Sequence, residues 1–166
     1  LIYTGAGLDL VHGGSGDDDI RITGGTSVFA QVFGDDGNDA IRIGTGNYFV
    51  IGTVEADGGV GNDWISFDGA GQAIMNGGSG ADEFVMHENG SKTIAAADVI
   101  ADFEDGIDKL SIGEWDMEFD DLTIANDGDN CVISSKETGL ILVVVENAAG
   151  EHEHEHGEQH QVRPGP

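Results

Sequence analysis

Residues 58–67 read GGVGNDWISF. Glycines hold places one, two and four, Asp63 holds place six, and Ile65 follows two places later. A single copy would describe a polar turn leading into a strand. The pattern G-G-x-G-x-D-x-U-x, with U a large apolar residue, occurs four times: GGSGDDDIR from Gly13, GDDGNDAIR from Gly34, GGVGNDWIS from Gly58 and GGSGADEFV from Gly77. The sixth place is Asp18, Asp39, Asp63 and Asp82, and the eighth is Ile20, Ile41, Ile65 and Phe84. The second copy departs once, with Asp35 where a glycine stands elsewhere.

The copies start 21, 24 and 19 residues apart, more than a nine-residue motif repeated back to back would give. The interval therefore holds further structure. After each motif comes a short strand-like run: IRI from Ile20, IRI from Ile41, ISF from Ile65, FVM from Phe84. Glycine turns without the aspartate follow three of these runs: TGGT from Thr23, GTGN from Gly44, DGAG from Asp68. A second run then leads to the next motif: SVFAQVF from Ser27, YFVIGTV from Tyr48, QAIM from Gln72. This grammar predicts a coil of parallel strands with one turn per period, whose stacked turns bury a shared core. One edge of the coil carries the motif, the other plain turns.

The opening residues follow the same order: LIY from Leu1, TGAG from Thr4, LDLVH from Leu8. They read as starting just after a further motif, as a piece of a longer array would. A competing reading makes TGAGLDLVH a decayed motif with Asp9 as its ligand. Both stay open at this point.

The chain is short, 166 residues, enough for one domain or two small ones. Its 28 glycines against 2 prolines suit many tight turns. With 32 acidic and 6 basic residues, the formal charge of −26 repels nucleic acid and opposes compaction. A divalent cation is the economical way to offset those carboxylates. The single cysteine, Cys131, lies in an alternating apolar run and reads as a core residue. No apolar run is long enough for a membrane span, and no signal peptide opens the chain.

The motif suits calcium for a stated reason. Calcium takes six to eight oxygens at about 2.3–2.6 Å in a tolerant geometry. A tight turn can offer backbone carbonyls if its residues reach the angles that glycine adopts freely. The sixth-place aspartate adds a charged ligand. One loop has too few oxygens, but two loops stacked about 4.8 Å apart could share an ion. Four loops in a row then predict three complete sites with partial ones at the ends, hence about three or more calcium ions.

These residues resemble the RTX, or hemolysin-type, calcium-binding repeats of proteins secreted by Gram-negative bacteria. DVIADFEDGIDKLSI, residues 98–112, resembles the segment that follows the last repeat in the C-terminal domain of serralysin-type proteases. The resemblance implies an all-β fold, a parallel β-roll with calcium between its turns. Residues 1–90 would form the roll and 91–148 a C-terminal capping β region, with LTIAN, NCVISSK and LILVVVE as closing strands. Carried over residue by residue, it implies carbonyl ligands from Gly13, Gly14, Ser15, Gly16, Gly34, Asp35, Asp36, Gly37, Gly58, Gly59, Val60, Gly61, Gly77, Gly78, Ser79 and Gly80. The carboxylates of Asp18, Asp39, Asp63 and Asp82 complete the set, with Asp102 a weaker candidate for an end site. The resemblance also implies export by a type I secretion system, unfolded, with folding on meeting extracellular calcium.

Residues 149–166 form an acidic, histidine-rich tail. Its HEHEH, from His152, matches H-E-x-x-H literally. That zinc-protease motif needs a helix with both histidines on one face, whereas here histidine and glutamate alternate in a low-complexity run. Loose binding of zinc, nickel or copper is the chemistry such a run supports. His12 and His87 read as solvated, and Asn89 in NGS as a turn. Trp64 should face outward if Ile65 faces the core. Trp115 could pack under the closing strands.

The expectation is thus a calcium-binding module of a secreted protein, without an active site of its own. Two other classes stand beside it: a structural or adhesive component that self-associates in calcium, and a carbohydrate-binding accessory module. The last would need an exposed aromatic row, for which Trp64, Tyr48 and Phe49 are the candidates.

Overall fold

The computed structural model describes residues 1–4, 7–23, 28–44, 52–68, 71–87, 90–113 and 117–148. The plain turns between the repeat strands lie largely outside that set, as do Tyr48, Phe49, Asn89, Trp115 and the whole tail from 149 to 166.

Successive strands alternate between two sheets. The first sheet holds β1 (Ile2–Thr4), β3 (Asp19–Ile22), β5 (Ala40–Ile43), β7 (Trp64–Phe67), β9 (Glu83–Met86) and β11 (Lys109–Ile112), in that spatial order. The second holds β2 (Gly7–Ser15), β4 (Val28–Asp36), β6 (Gly52–Val60), β8 (Gln72–Ser79) and β10 (Asp98–Ile100), continued by the cap strands β14 (Ile141–Val145), β13 (Asn130–Ser135) and β12 (Leu122–Asp127). Each coil gives one strand to each sheet. The chain thus returns to the same edge running the same way, and all pairings within the repeats are parallel.

The alternation of the short strands sets the register. In β3 and β5 the outward residues are Asp19, Arg21, Ala40 and Arg42, while Ile20, Ile22, Ile41 and Ile43 are buried. Ile20, Ile41, Ile65, Phe84 and Leu110 stack as one column. From the other sheet, Val11, Val32, Ala56 and Met75 form the facing column. Slipping any strand by one residue would turn its apolar set to solvent. Each fully buried isoleucine contributes about 1.5–3 kcal/mol, so the columns dominate the cohesion of the coil.

Cap and roll share one core. Leu122, Cys131, Ile133, Leu142, Val143 and Val145 are buried in the same cluster as the repeat isoleucines. The cap strands pair antiparallel with each other, and β14 joins β10 in parallel. The runs expected to close the coil thus form β12, β13 and β14. Cys131 is a buried free thiol. Among the described residues no helix is long and apolar enough to cross a membrane.

Asp9 lies in β2, paired with Ala30, and its Oδ2 is buried without a hydrogen-bond partner. The reading of the histidines as solvated holds for His12 and needs correction for His87, which is half-buried. His12 is exposed, yet it stacks on Phe33 (4.8 Å between centroids) and holds Asp35. His87 contacts the hydroxyl of Ser66 at 2.9 Å through Nε2. Trp64 does face outward, with the Arg42 guanidinium 4.9 Å from its ring centroid.

Candidate metal centre

Each motif spans the end of a long strand, a tight turn and the start of a short strand. Gly13, Gly14 and Ser15 end β2, Gly16 to Asp18 make the turn, and Asp19 opens β3. The copies from Gly34, Gly58 and Gly77 do the same. The loops therefore stack along one edge of the coil, in the register of the strands beside them.

The three glycine places have different causes. Place two has positive φ in every copy: Gly14 98°, Asp35 71°, Gly59 101°, Gly78 89°. Place four does too: Gly16 97°, Gly37 145°, Gly61 142°, Gly80 144°. These angles disfavour a side chain. Place one is excluded by space instead. A β-carbon on Gly34 would collide with Asp39 Oδ2 and Gly58 O, and one on Gly58 with Asp63 Oδ2 and Gly77 O. The same position on Gly13 would lie 2.6 Å from Gly34 O and 3.1 Å from Asp18 Oδ2. Above Gly13, Gly34 and Gly58, then, a carboxylate oxygen of the same loop and a carbonyl of the next loop converge, while above Gly77 stands Asp82 Oδ2 of its own loop.

The sixth-place aspartates form a ladder. The amide of Asp18 donates to Asp39 Oδ1 (2.7 Å), that of Asp39 to Asp63 Oδ1 (2.7 Å), and that of Asp63 to Asp82 Oδ1 (2.8 Å). One oxygen each of Asp39, Asp63 and Asp82 is thus committed to the backbone. The other oxygens, Asp39 Oδ2, Asp63 Oδ2 and Asp82 Oδ2, are buried and have no hydrogen-bond partner. All three residues are only 2% exposed. A buried carboxylate oxygen without a partner is costly, and a cation is what removes the cost. Burial is the first cause that raises the affinity of Asp39, Asp63 and Asp82 for a proton, with neighbouring carboxylates adding to it. Asp63, deepest in the ladder, is pushed up to about 6. The donor set is all oxygen and carries several negative charges, which suits a hard divalent cation of calcium type. Asp18, Asp39, Asp63 and Asp82 are therefore aligned along one edge. Among the described residues no three His, Cys, Asp or Glu side chains gather into one cluster that could hold a metal ion, so any ion here would depend on backbone carbonyls as well.

Three features of the edge were not read from the sequence. The first is a second ladder at place five. Asp17 Oδ1 accepts the Asn38 amide, Asn38 Oδ1 the Asn62 amide and Asn62 Oδ1 the Ala81 amide, each at 2.8 Å. Its signal was visible as an Asx residue before the sixth-place aspartate in three copies. The second is Asp108. It stands beside Asp82 in the β9–β11 register and takes the Asp82 amide on Oδ1 at 2.9 Å. Its Oδ2 accepts from the Glu104 amide at 2.8 Å, so both of its oxygens are satisfied. Residues 103–108 are a fifth motif that keeps the fourth-place glycine, Gly106, and the aspartate but has lost the first two glycines. It closes the ladder with hydrogen bonds. The third is the role of Asp102, whose two oxygens accept the amides of Gly77 and Gly78 at 2.9 Å each. This carboxylate caps the last loop.

Asp35 keeps a left-handed angle that glycine would hold without strain. Its carboxylate compensates by accepting from the Gly14 amide (3.2 Å) and meeting His12 Nδ1 (3.1 Å). Strain and compensation should nearly cancel. Asp35→Gly is expected to change stability by less than about 1 kcal/mol, whereas Asp35→Ala keeps the strain, loses both contacts and should cost about 1–3 kcal/mol. Chemical unfolding of both variants at saturating calcium checks this. Equal costs for the two would mean that the contacts, rather than the backbone angle, decide the position.

Stacked loops in strand register, one strand per sheet per coil, decide the architecture. The chain is a parallel β-roll. No family model matches it, and no curated protein matches its sequence. Among solved structures it is similar to the AlgE6R3 subunit of the mannuronan C5-epimerase of Azotobacter vinelandii. That similarity has 20% sequence identity, covers 98% of this chain and 90% of the other, and has a TM-score of 0.40. The carbohydrate reading rested on an aromatic row. Two of its three members, Tyr48 and Phe49, lie outside the described residues.

Proposed function

We propose that the chain is a calcium-binding β-roll module of a secreted bacterial protein of RTX type, and that calcium drives its folding after export. The observation that carries this reading is the row of buried, unpartnered carboxylate oxygens of Asp39, Asp63 and Asp82, the first two of which face a backbone carbonyl of the next loop. Asp39, Asp63 and Asp82 would hold the ions, with Gly58 O and Gly77 O as neighbouring donors. Asp18 and Gly34 O offer the same pair nearer the end of the roll. Bound calcium supplies the positive charge that lets these carboxylates stay ionised and buried. The oxygens converge only when loops stack, so binding free energy is folding free energy. Export by type I secretion belongs to the same reading: at low cytosolic calcium the acidic chain stays unfolded and can be threaded outward. In this reading any enzymatic chemistry belongs to another part of the parent protein.

Far-UV circular dichroism during a calcium titration of the metal-free chain tests the proposal, with magnesium as control. A cooperative rise in β signal with calcium and none with magnesium at equal concentration is expected. A metal-free chain that is already folded, and unchanged by calcium, would refute it.

A further inference from the structure

The junction between roll and cap contains a carboxyl group that the metal chemistry does not use. Asp98 opens β10, the strand that joins β8 of the roll to β14 of the cap. By alternation with the fully buried Ile100, its side chain points inward. There it helps line a small cavity with Phe67 of β7, Met75 of β8, Phe84 and Met86 of β9, and Leu142 and Val143 of β14. The pairing of β10 with β8 covers only Val99–Ile74 and Ile100–Met75. At the next position the Asp98 side chain takes over, and its Oδ1 accepts the Ala73 amide at 2.8 Å. A carboxyl group thus stands in for a rung of the sheet, at the seam.

Among the described residues, no side chain lining this cavity can stabilise a negative charge. Those from β7, β8, β9 and β14 are all apolar, and on β10 itself Ile100 is too. The nearest titratable groups in sequence flank the strands: Asp68 follows β7, and His87 follows β9 with its Nε2 on Ser66 Oγ. Burial, opposed only by the Ala73 amide, pushes Asp98 up to about 7.

We propose that Asp98 is a proton-operated latch between the roll and its cap: neutral, it seats β10 against β8 and β14; ionised, it loosens that seam. The direction follows from linkage. A carboxyl whose folded value is raised stabilises the closed seam fully below its ordinary value near 4. That stabilisation is lost as pH rises, and the loss is complete once the raised value is passed. The loss therefore falls between about pH 4 and 7 and levels off above. The consequence reaches the last loop, because β10 runs directly into Asp102, which caps Gly77 and Gly78. Proton release at Asp98 would free the segment that leads into this cap.

Amide hydrogen exchange across pH tests the latch, on the full chain at saturating calcium and, should the chain fold without metal, in its absence as well. After correction for intrinsic exchange, protection at Ala73, along β10 and along β14 should fall at least tenfold between pH 5.5 and 7.5. Amides of β4 and β6 should show no such fall. Asp98→Asn keeps the acceptor for the Ala73 amide but cannot ionise, so its seam protection should be flat with pH. A wild-type seam without the fall, or the same fall in Asp98→Asn, overturns the proposal. If that variant does not fold, the side-chain carboxyl carbon shift of Asp98 in the wild type decides. An inflection near 7 supports the latch and an ordinary one near 4 overturns it. Failure of the calcium reading would leave this result intact, because the readout follows the seam and not the metal.

Discussion

Asp63→Ala should raise the calcium concentration needed for half-folding by about a hundredfold or more, while Asp63→Asn should separate folding from calcium. The alanine variant loses both oxygens at once. Oδ1 holds the Asp39 amide, a charge-assisted bond worth about 1.5–3 kcal/mol. Oδ2 is the buried oxygen that faces Gly77 O across Gly58. A ligand and a ladder rung together amount to about 3 kcal/mol or more, and each 1.4 kcal/mol is tenfold in binding. The asparagine variant keeps an acceptor for the Asp39 amide and removes a buried charge. Its metal-free form should therefore be easier to fold than the wild type, even as its calcium response weakens. Calcium titrations of the two variants, followed by circular dichroism, measure both effects. If Asp63 only shaped the turn, Asp63→Asn would leave the calcium midpoint unmoved, and that outcome would sink the ligand assignment.

How much of this site could be read from the sequence depends on the range of the interaction. Asp18, Asp39, Asp63 and Asp82 were legible because their roles follow from a motif within nine residues. So was the position of Asp35, as a departure from glycine. Its partner was not: His12 is 23 residues away and is brought to it by the pairing of β2 with β4. Asp108 escaped because Phe103 and Glu104 replace the first two glycines. Only the ladder of amides, closed at Asp82, shows that residues 103–108 are a fifth loop. The inward-facing columns were visible as alternation, yet nothing local distinguishes Asp98 from the many solvated aspartates of so acidic a chain. Its surroundings come from five strands. Asp9 was legible as a nine-residue spacing before Gly13, but its pairing with Ala30 and its buried, unpartnered Oδ2 were not.

The metal-free chain should gain β structure on mild acidification, the reverse of the acid unfolding that carboxylate-stabilised proteins show. Asp63 is pushed up to about 6 by burial, and Asp39 and Asp82 are raised for the same first cause. A group whose folded value lies above its unfolded value favours the fold most when protonated. Its contribution is complete below about 4 and is lost as pH rises through the folded value, near 6 for Asp63. At pH 7.5 without metal, the buried Asp63 carboxylate alone opposes folding by roughly 3 kcal/mol. Protonation also reduces the self-repulsion of a chain carrying a formal charge of −26. With calcium the sign reverses, because protons then compete with the ion for the same oxygens and the midpoint should move to higher calcium as pH falls from 7 to 5. Circular dichroism in chelator between pH 7.5 and 4.5, repeated in excess calcium, reads both arms. Acid-induced β signal in chelator with a weakened calcium midpoint at low pH fits a charge-neutralised ladder. Loss of structure on acidification in chelator would show that the carboxylates already stabilise the roll without a cation, through their ladder of amides alone.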